Sequence, residues 1–410
     1  MQREILSAGT VLPISSKPIK RGAVLVEDGI IQDVGPASRL KALYPDAHIN
    51  KLGGGILLPG LINAHTHLEL GWMRERIGYF GSFIGWIKQI INAKRQAVPD
   101  EEIEGSIRDG INMLIKSGVT TVGEISSFDG LDIPILKNSR LRVILFKELF
   151  DWNAHTVKGS SFQKNGLYEE RPFPHAPYSC SADFLKKFAG FYKDNQIPCG
   201  IHLAESTDEV RFLRGEPNGF EKTIFPLLEK ESFEKQPRET PFKYLKNIGF
   251  FEDSKTTLVH MVHVKKQEIA EIADSQIGVV MCPRSNAYLK VGRPPLKELL
   301  RLERIGIGTD GLSSNYNLDM FEELRFLHTL AAKPLGKGAS FATVYSATLG
   351  GARSLFIEDK TGSIEKGKEA DLIYITPEYG SRDPYFDVIS SRQNDLKLVM
   401  VAGSPILSKL

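Results

Sequence analysis

The chain has 410 residues, of which 41% are hydrophobic and 25% are charged, and its formal net charge is +2. This length exceeds that of a usual single domain and favours one large domain plus a smaller one. Because no segment is densely basic, the sequence gives no electrostatic support for binding to nucleic acid or to a membrane surface. We therefore expect neither class of partner.

The sequence also indicates a cytoplasmic setting. The first residues, Met1 to Leu6, lack the long apolar region of a signal peptide, and no uncharged run is long enough to span a bilayer. The three cysteines, Cys180, Cys199 and Cys282, form no close-spaced pair. This pattern is typical of proteins in a reducing compartment.

Both ends of the chain have the composition of β-structure. The dipeptide Asp28-Gly29 stands between two short β-rich runs, which is a strong signal for a hairpin. The C-terminal segment contains similar β-rich runs. Since chain termini lie close together in many domains, we predict a small β-sandwich domain formed by residues 1–57 and 362–410.

Between these ends, residues 58–361 alternate between strand-like and helix-like segments. Eight strands with intervening helices suit an α/β fold of the (β/α)₈ TIM-like barrel type better than an open doubly wound sheet. In such barrels the catalytic groups lie at the C-terminal ends of the strands. The segment 215–250, rich in charged, proline and aromatic residues, is predicted to be an insertion over the barrel mouth. The predicted strands are 56–66, 119–126, 141–149, 171–178, 198–204, 256–262, 277–282 and 305–310.

Residue types that bind metals occur at the ends of these predicted strands. His65 and His67 are two residues apart, so on a strand their side chains point the same way. His202 and Asp310 end two later apolar segments. Three histidines and one aspartate fit one divalent metal, for which zinc is the first choice and iron(II) accepts the same ligands. The sequence therefore predicts one metal per chain held by these four residues.

Proton transfer requires further groups beside such a metal. Glu205, three residues after His202, lies where the chain leaves the predicted strand, which suits a general acid or base that is not a ligand. His260 is expected to stabilise the hydroxide or the developing tetrahedral centre, with a buried structural histidine as the alternative. Asp310 can accept a proton from the attacking water as well as bind the metal. We predict that Glu205, His260 and Asp310 are catalytic.

A centre with two metals is the competing interpretation. Such centres commonly use a bridging anion, often a carbamylated lysine from the fourth strand. The predicted fourth strand contains no lysine between Arg171 and Tyr178, and Lys147 falls on the third. One metal per chain therefore remains the prediction.

The order of these motifs resembles the amidohydrolase superfamily, specifically its mononuclear deaminase and chlorohydrolase branch. The resemblance covers nearly the whole chain, from the segment Leu58–Asn63 to the closing segment Gly362–Leu372. In that branch the positions matching the four predicted ligands bind zinc. The positions matching Glu205 and His260 are catalytic there, so the resemblance implies the same roles here.

Shorter motifs resemble two deaminase families within this branch. His175–Ser181 resembles S-adenosylhomocysteine/methylthioadenosine deaminases, in which the histidine meets the substrate, and Ser314 is similarly placed near the ligand. Tyr79–Ile87 and Glu124–Ser127 resemble aminodeoxyfutalosine deaminases of the alternative menaquinone route. One departure is Met281, which stands where many relatives have histidine. This departure lies outside the predicted ligands.

Five residues are candidates for contacts with the substrate, and most have a structural alternative. Trp86 lies in an apolar helical pattern and either stacks on a ring or packs in the core. Ser126 either binds the substrate or ends a strand, and Arg284 either binds the substrate or ties down its loop. His175 either contacts the substrate or packs against its neighbours. Ser314 completes the predicted set.

Together these features predict a zinc-dependent hydrolase that converts an aminopurine nucleoside-type substrate to its 6-oxo product and ammonia. The leading candidate substrate is 6-amino-6-deoxyfutalosine. The alternatives are an S-adenosylhomocysteine/5′-methylthioadenosine deaminase, another hydrolase acting on a ring amine, a ring chloride or a cyclic amide, and a scaffold without catalysis, since a fold alone does not determine function. The expected partners are a small aminated heterocycle and, as an option, a second copy of the chain in a homodimer.

Overall fold

The computed structural model describes residues 3–79, 81–127, 130–151, 162–230, 238–378 and 380–410. Its strands are β1 (Arg3–Val11), β2 (Ile19–Lys20), β3 (Gly22–Glu27), β4 (Ile30–Pro36), β5 (His48–Pro59), β6 (Leu61–Thr66), β7 (Val119–Ser126), β8 (Arg142–Leu149), β9 (Lys164–Asn165), β10 (Tyr168–Pro174), β11 (Cys199–Leu203), β12 (Thr256–His260), β13 (Ile277–Met281), β14 (Ile305–Ile307), β15 (Leu372–Ile375), β16 (Leu396–Val401) and β17 (Ser404–Ser408).

The α-helices in the same ranges are α1 (Ala37–Leu43), α2 (Phe83–Lys94), α3 (Asp100–Lys116), α4 (Asp132–Lys137), α5 (Ala182–Asn195), α6 (Thr207–Arg214), α7 (Phe225–Leu227), α8 (Pro241–Asn247), α9 (Lys266–Ala273), α10 (Pro283–Tyr288), α11 (Leu296–Leu299), α12 (Met320–Leu335), α13 (Ala339–Ser346), α14 (Leu349–Ser354) and α15 (Pro384–Ser390). Short 3-10 helices cover Leu68–Met73 and Gly336–Gly338, and a π-helical turn covers Phe220–Ile224.

Both ends of the chain contribute to one eight-stranded sheet. This sheet, called here the terminal sheet, has the order β17-β16-β15-β5-β1-β3-β4, with β2 paired to β1. Both residues of the turn between β3 and β4 have positive φ, +50° at Asp28 and +81° at Gly29, as a type I′ hairpin requires, so the predicted hairpin is confirmed. β5 pairs edge to edge with β15 and so joins the terminal strands into a single hydrogen-bonded sheet, and the two packed layers of the predicted β-sandwich are not shown. The predicted domain boundaries at residues 57 and 362 stay a prediction.

The strands predicted for the barrel form two parallel sheets. β6, β7, β8 and β10 are neighbours in the first, which also carries the short antiparallel β9, and β11 to β14 form the second. Backbone hydrogen bonds bridge the two sheets at the strand ends, from His202 N to His175 O at 3.0 Å and from Asp310 N to His65 O at 3.1 Å. The α/β class is confirmed. The continuous ladder of a closed (β/α)₈ barrel does not form within the described ranges, because the strands are bridged near their ends instead of along their length.

The first predicted strand is divided at Gly60, which separates β5 from β6. Gly60 N donates to the carbonyl of Asp371 at 2.9 Å, whereas Leu61 N donates to that of Gly118 at 2.9 Å. A Cβ atom at residue 60 would lie 2.0 Å from Oγ1 of Thr120. The chain thus crosses from the terminal sheet to β6 at a position with no room for a side chain.

A buried ion-pair cluster joins the terminal sheet to β8. It consists of Arg142, Glu369 and Asp371, called here the junction cluster. Arg142 Nε donates to Asp371 Oδ2 at 2.8 Å and Arg142 Nη2 donates to Glu369 Oε2 at 2.7 Å. Burial lowers the pKa of Arg142, but the two carboxylates outweigh burial and raise it above its usual value. The guanidinium therefore stays charged and matched by its partners.

None of the helices in the described ranges combines the length and the apolar character needed to cross a bilayer.

Candidate metal centre and active-site cavity

The predicted ligands lie at the carboxyl ends of three strands. His65 is in β6 and His67 directly follows it, His202 is in β11, and Asp310 follows β14. Several residues at such strand ends have a left-handed backbone, which is unfavourable for residues other than glycine and is often found where function requires a special geometry. They are Ala204 (φ 54°), His260 (φ 74°), Met261 (φ 50°) and Asp310 (φ 58°).

The four predicted ligands lie close together and are called here the metal-centre cluster: donor atoms of His65, His67 and Asp310 lie within 4.8 Å of one another, and His202 adjoins this group through His65. The Nε2 atoms of His65 and His67 each lie 3.7 Å from Oδ1 of Asp310. Nε2 of His202 lies 3.4 Å from Nε2 of His65. In a tetrahedral site with bonds of about 2.0–2.1 Å, donor atoms are about 3.4 Å apart. The spacing of the donors therefore fits one divalent metal.

The protonation states of the cluster are those of metal ligands. Burial lowers the pKa of His67 to about 4 and holds the pKa values of His65 and His202 well below their usual value. Burial raises the pKa of Asp310, but the neighbouring histidines and a hydrogen bond from Ser285 outweigh burial and lower it. Neutral imidazoles and an ionised carboxylate are the forms that bind a metal. The donor set suits zinc and equally iron(II).

Hydrogen bonds from neighbouring groups orient two of the ligands. His202 Nδ1 lies 3.0 Å from the carbonyl oxygen of His175, which leaves Nε2 facing the cluster. Oδ2 of Asp310 accepts hydrogen bonds from Ser285 Oγ at 2.6 Å and from Ser314 Oγ at 2.8 Å, which leaves Oδ1 facing the histidines. Ser314, predicted as a substrate contact, thus supports a ligand and is absent from the cavity lining.

Glu205 and His260 stand together beside the metal-centre cluster. Nε2 of His260 is 3.6 Å from Oε1 of Glu205, and Nδ1 of His260 is 3.1 Å from Oδ1 of Asn286. Burial, followed by the charges of Asp310 and Glu209, holds the pKa of Glu205 well above its usual value. A buried carboxyl group with a raised pKa keeps a proton available for transfer.

A cavity of about 600 Å³ opens onto this centre and is lined by His67, His202, Glu205, His260 and Asp310. Its apolar wall comes from two helical segments. α2 contributes Trp86, Ile87, Ile90 and Ile91, and residues 220–228 contribute Phe220, Ile224, Phe225 and Leu228. The predicted insertion 215–250 therefore borders the cavity, although residues 231–237 lie outside the described ranges. The volume and the mixture of apolar and polar walls suit a small organic ligand.

Two of the predicted substrate contacts line this cavity. Trp86 does so while its Nε1 donates to the carbonyl of Ser313 at 2.8 Å. His175 also lines the cavity, with Nδ1 2.6 Å from Ser179 Oγ and Nε2 3.7 Å from Oε1 of Glu148. Both residues are available to a ligand and are held in place by protein partners.

Two other predicted substrate contacts, Ser126 and Arg284, do not line the cavity. Ser126 Oγ donates to Oδ1 of Asp132 at 2.7 Å, because its side chain points to the opposite side of β7 from that of the cavity-lining Ser127. Arg284 Nη2 lies 2.7 Å from Oε2 of Glu322, so its guanidinium ties α10 to α12. For both residues the structural alternative fits the structure better.

Sequence reasoning missed Glu148, a buried acid in β8 that lines the cavity. Burial raises its pKa to about 7, against the opposing charge of Lys94 and a hydrogen bond from Ser127. The available signal was the position of Glu148 near the end of the predicted third strand, since the predicted metal ligands also lie at strand ends. Met281, which stands where many relatives have histidine, is buried in the core and is not among the residues that line the cavity.

The comparisons with known proteins agree with this geometry. A model of the amidohydrolase family matches residues 56–406, and a model of a bacterial imidazolonepropionase-like composite domain matches residues 22–47. The chain is 29% identical to a 5-methylthioadenosine/S-adenosylhomocysteine deaminase of Moorella thermoacetica, over 100% of this chain and 95% of the relative.

Two solved structures share the fold. The Helicobacter pylori aminofutalosine deaminase in complex with methylthio-coformycin has a TM-score of 0.84 at 24% identity, with 98% of this chain and 100% of that chain covered. A triazine hydrolase variant has a TM-score of 0.81 at 18% identity, with 100% of this chain and 95% of that chain covered. Because the family model spans most of the chain, the protein belongs to the amidohydrolase family, as its motifs predicted, and is a hydrolase acting on C–N bonds.

Proposed function

We propose that the protein is a metal-dependent deaminase that hydrolyses the exocyclic amine of an adenosine-type substrate. The observation that carries this proposal is a group of three neutral histidines and one carboxylate, in which Nε2 of His65 lies 3.4 Å from Nε2 of His202 and 3.7 Å from Oδ1 of Asp310, beside a cavity that also presents Glu205 and His260. A hydrolytic deaminase needs these two kinds of group together, one to activate water and one to move protons.

His65, His67, His202 and Asp310 would hold one divalent ion, with zinc as the first candidate and iron(II) as the second. When bound, such a metal lowers the pKa of its water from 15.7 toward about 7 and so supplies a nucleophile at neutral pH.

Proton movement is assigned to Glu205. Its carboxyl group, protonated because of its raised pKa, donates to the ring nitrogen next to the aminated carbon. After water adds to that carbon, Glu205 relays the proton of the water to the leaving nitrogen. The C–N bond breaks and ammonia leaves, and the proton of the hydroxyl group left on the ring returns to Glu205, so the products are the oxo compound and ammonia and the glutamic acid is restored.

His260 and Asp310 assist at the attacking water. Nδ1 of His260 donates to Oδ1 of Asn286, so Nε2 offers its lone pair toward Glu205 and the cavity. In this tautomer His260 accepts a hydrogen bond from the water and orients it. Oδ1 of Asp310, which accepts one hydrogen bond from Gly311 N at 2.8 Å, is the second acceptor on that side, because Oδ2 is engaged by two serine hydroxyls.

The leading candidate substrate is 6-amino-6-deoxyfutalosine, an intermediate of menaquinone biosynthesis. Two segments whose sequences resemble aminodeoxyfutalosine deaminases supply cavity residues, since Trp86 and Ile87 come from the first and Ser127 from the second. The likeness in fold to an aminofutalosine deaminase is consistent with this choice.

The second candidate is S-adenosylhomocysteine or 5′-methylthioadenosine. It is favoured by His175, which lines the cavity within the motif that resembles the corresponding deaminases, and by the name of the Moorella relative. The two candidates share the aminopurine ring and differ in the group attached to the sugar.

Ammonia release across a panel of the three compounds tests the proposal. We expect kcat/KM above about 10⁴ M⁻¹s⁻¹, the low end of ordinary enzyme efficiency, for at least one of them, and the ranking of the three selects the substrate. Values below this limit for all three would overturn the adenosine-type assignment. A chlorinated triazine in the same panel separates deamination from chloride hydrolysis.

A further inference from the structure

The turn that carries Glu205 is held by a second buried glutamate, Glu209, which is 1% exposed in the first turn of α6. Oε1 of Glu209 accepts a hydrogen bond from Ala204 N at 2.8 Å, and Oε2 accepts one from Glu205 N at 2.9 Å. One carboxylate therefore binds two successive backbone amides, and the second belongs to the proposed proton-transfer residue itself.

This contact goes beyond the capping of a helix. Ser206 Oγ accepts a hydrogen bond from Glu209 N at 3.2 Å, which is half of a capping box. In an ordinary capping box the glutamate reaches back to the N-cap amide. The carboxylate of Glu209 reaches further, to the two residues before the N-cap Ser206, and these residues lie on the turn between β11 and α6.

The conformation of this turn explains why it needs to be held. Ala204 has φ of +54°, in a region that residues with a Cβ atom rarely adopt. Its carbonyl accepts a hydrogen bond from His263 N at 2.9 Å. The peptide group between Ala204 and Glu205 is thus bound at its oxygen by His263 and at its nitrogen by Glu209, which sets the orientation of that peptide plane.

We propose that Glu209 is a positioning residue that fixes the backbone of Glu205 so that its carboxyl group points into the cavity beside His260; this inference rests on the proposed function. The peptide plane determines where the Cα–Cβ bond of Glu205 points. Oε1 of Glu205 lies 3.6 Å from Nε2 of His260, so a small rotation of the turn would move the proton donor away from the reacting ring. Proton transfer requires hydrogen-bond reach, and a misplacement of 1 Å costs on the order of 10² in rate.

The substitution Glu209→Gln tests this role. Glutamine offers one acceptor and one NH₂ donor, so it can no longer accept from both amides. Glu268→Gln is a matched control, because Glu268 is also 1% exposed and its Oε2 accepts Lys265 N at 2.7 Å in the capping box of α9. Both proteins are studied with metal bound, by hydrogen exchange of the peptides covering residues 200–210, metal analysis and steady-state kinetics.

We expect faster exchange at Ala204 and Glu205 and a fall in kcat of about 10²-fold in Glu209→Gln, with KM and metal content within about twofold of wild type. Glu268→Gln should match wild type in all these measurements. Unchanged exchange, or a kcat equal to that of the control, would overturn the inference. Exchange needs no substrate, so it decides the inference even if the wild-type protein releases no ammonia, a result that contradicts the proposed function instead.

A double variant separates positioning from stability. Glycine adopts positive φ without strain, so Ala204→Gly combined with Glu209→Gln should fold even if Glu209→Gln alone does not. The double variant should still show the loss in kcat, because the peptide plane is no longer held. Recovery of wild-type kcat would show that Glu209 only stabilises the turn and would overturn the proposal.

Discussion

The metal-centre cluster and the junction cluster are both buried groups of titratable side chains, yet their contacts differ. In the junction cluster, Arg142 makes hydrogen bonds of 2.7–3.1 Å to Glu369 and Asp371, within the normal range of such bonds. In the metal-centre cluster, the donors face one another at 3.4–3.7 Å, beyond that range. The first cluster balances its charge internally, whereas in the second the imidazole nitrogens and the carboxylate face one another without a side-chain cation among them, as the ligands of a metal ion do.

The backbone shows less contrast, because Ala402, whose N donates to Oδ1 of Asp371 at 2.7 Å, also has a left-handed backbone with φ of 45°. Beside the junction cluster, β15 pairs regularly with β5, with Leu372 opposite Pro59. At the metal centre, residues such as His260 and Asp310 have left-handed backbone angles. Strain of this kind persists only where the surrounding structure over-determines it. The comparison teaches that neither burial nor a left-handed backbone alone marks a functional site, whereas buried metal-binding groups without an internal cation do.

The largest effect is expected for His67→Ala, which removes one donor of the metal-centre cluster. Because a catalytic metal site has only three or four protein ligands, the variant should lose bound metal and activity together. Elemental analysis and ammonia release measure the two losses. His263→Ala is the control, since His263 bonds the carbonyl of Val291 and lies outside the cluster. Retention of one metal per chain in His67→Ala would contradict the ligand assignment.

The second largest effect is expected for Glu205→Gln. The amide keeps the size of the side chain but cannot carry the transferred proton, so kcat should fall by about 10²–10⁴ while metal content stays at the wild-type level. Steady-state kinetics and elemental analysis check this separation. Near-normal turnover would assign proton transfer to another group, of which His260 is the nearest at 3.6 Å.

The substitution Arg142→Met tests the junction cluster. It leaves Asp371, which is 2% exposed, without its cation, and removal of one partner of a buried ion pair typically costs about 3–5 kcal/mol. Urea unfolding should show this loss of stability, whereas kcat at temperatures where the variant is folded should match wild type. A large loss of kcat with unchanged stability would mean that the junction cluster takes part in catalysis.

Sequence patterns place the residues of the metal-centre cluster near one another because these patterns depend on short-range rules, and the role of these residues as ligands stays a prediction. The two-residue spacing of His65 and His67 places both side chains on one face of a strand, and parallel strands end at the same edge. Ser126 and Arg284 are absent from the cavity lining for reasons that such rules do not cover. A shift of one residue on a strand exchanges the two faces, and the direction of the Arg284 side chain in α10 depends on distant partners such as Glu322.

The terminal sheet shows the same limit on a larger scale. Its strands and its Asp28-Gly29 hairpin follow from local composition and turn chemistry. Whether the two ends of the chain pair edge to edge or stack face to face depends on contacts such as Leu372 with Pro59, which are more than 300 residues apart in sequence. Local patterns carry no information about that choice.

The effect expected per unit of pH is the smallest and concerns Glu323. Burial raises the pKa of Glu323 from its ordinary 4.5 to about 8, against the charge of Arg284 and a hydrogen bond from Asn315. Between these two values the folded state keeps a proton that the unfolded state has lost. The stabilisation is therefore complete below pH 4.5 and is lost as the pH rises toward 8.

The free energy of unfolding of wild type relative to Glu323→Gln should accordingly fall from pH 5 to pH 8, by at most about 1.4 kcal/mol per pH unit. The buried histidines titrate equally in both proteins, so their contribution cancels in the difference. Urea unfolding at several pH values, with equal metal content, measures it. A difference that is constant over this range would mean that Glu323 is already ionised in the folded protein, matched by Arg284 in the way that Asp371 is matched by Arg142.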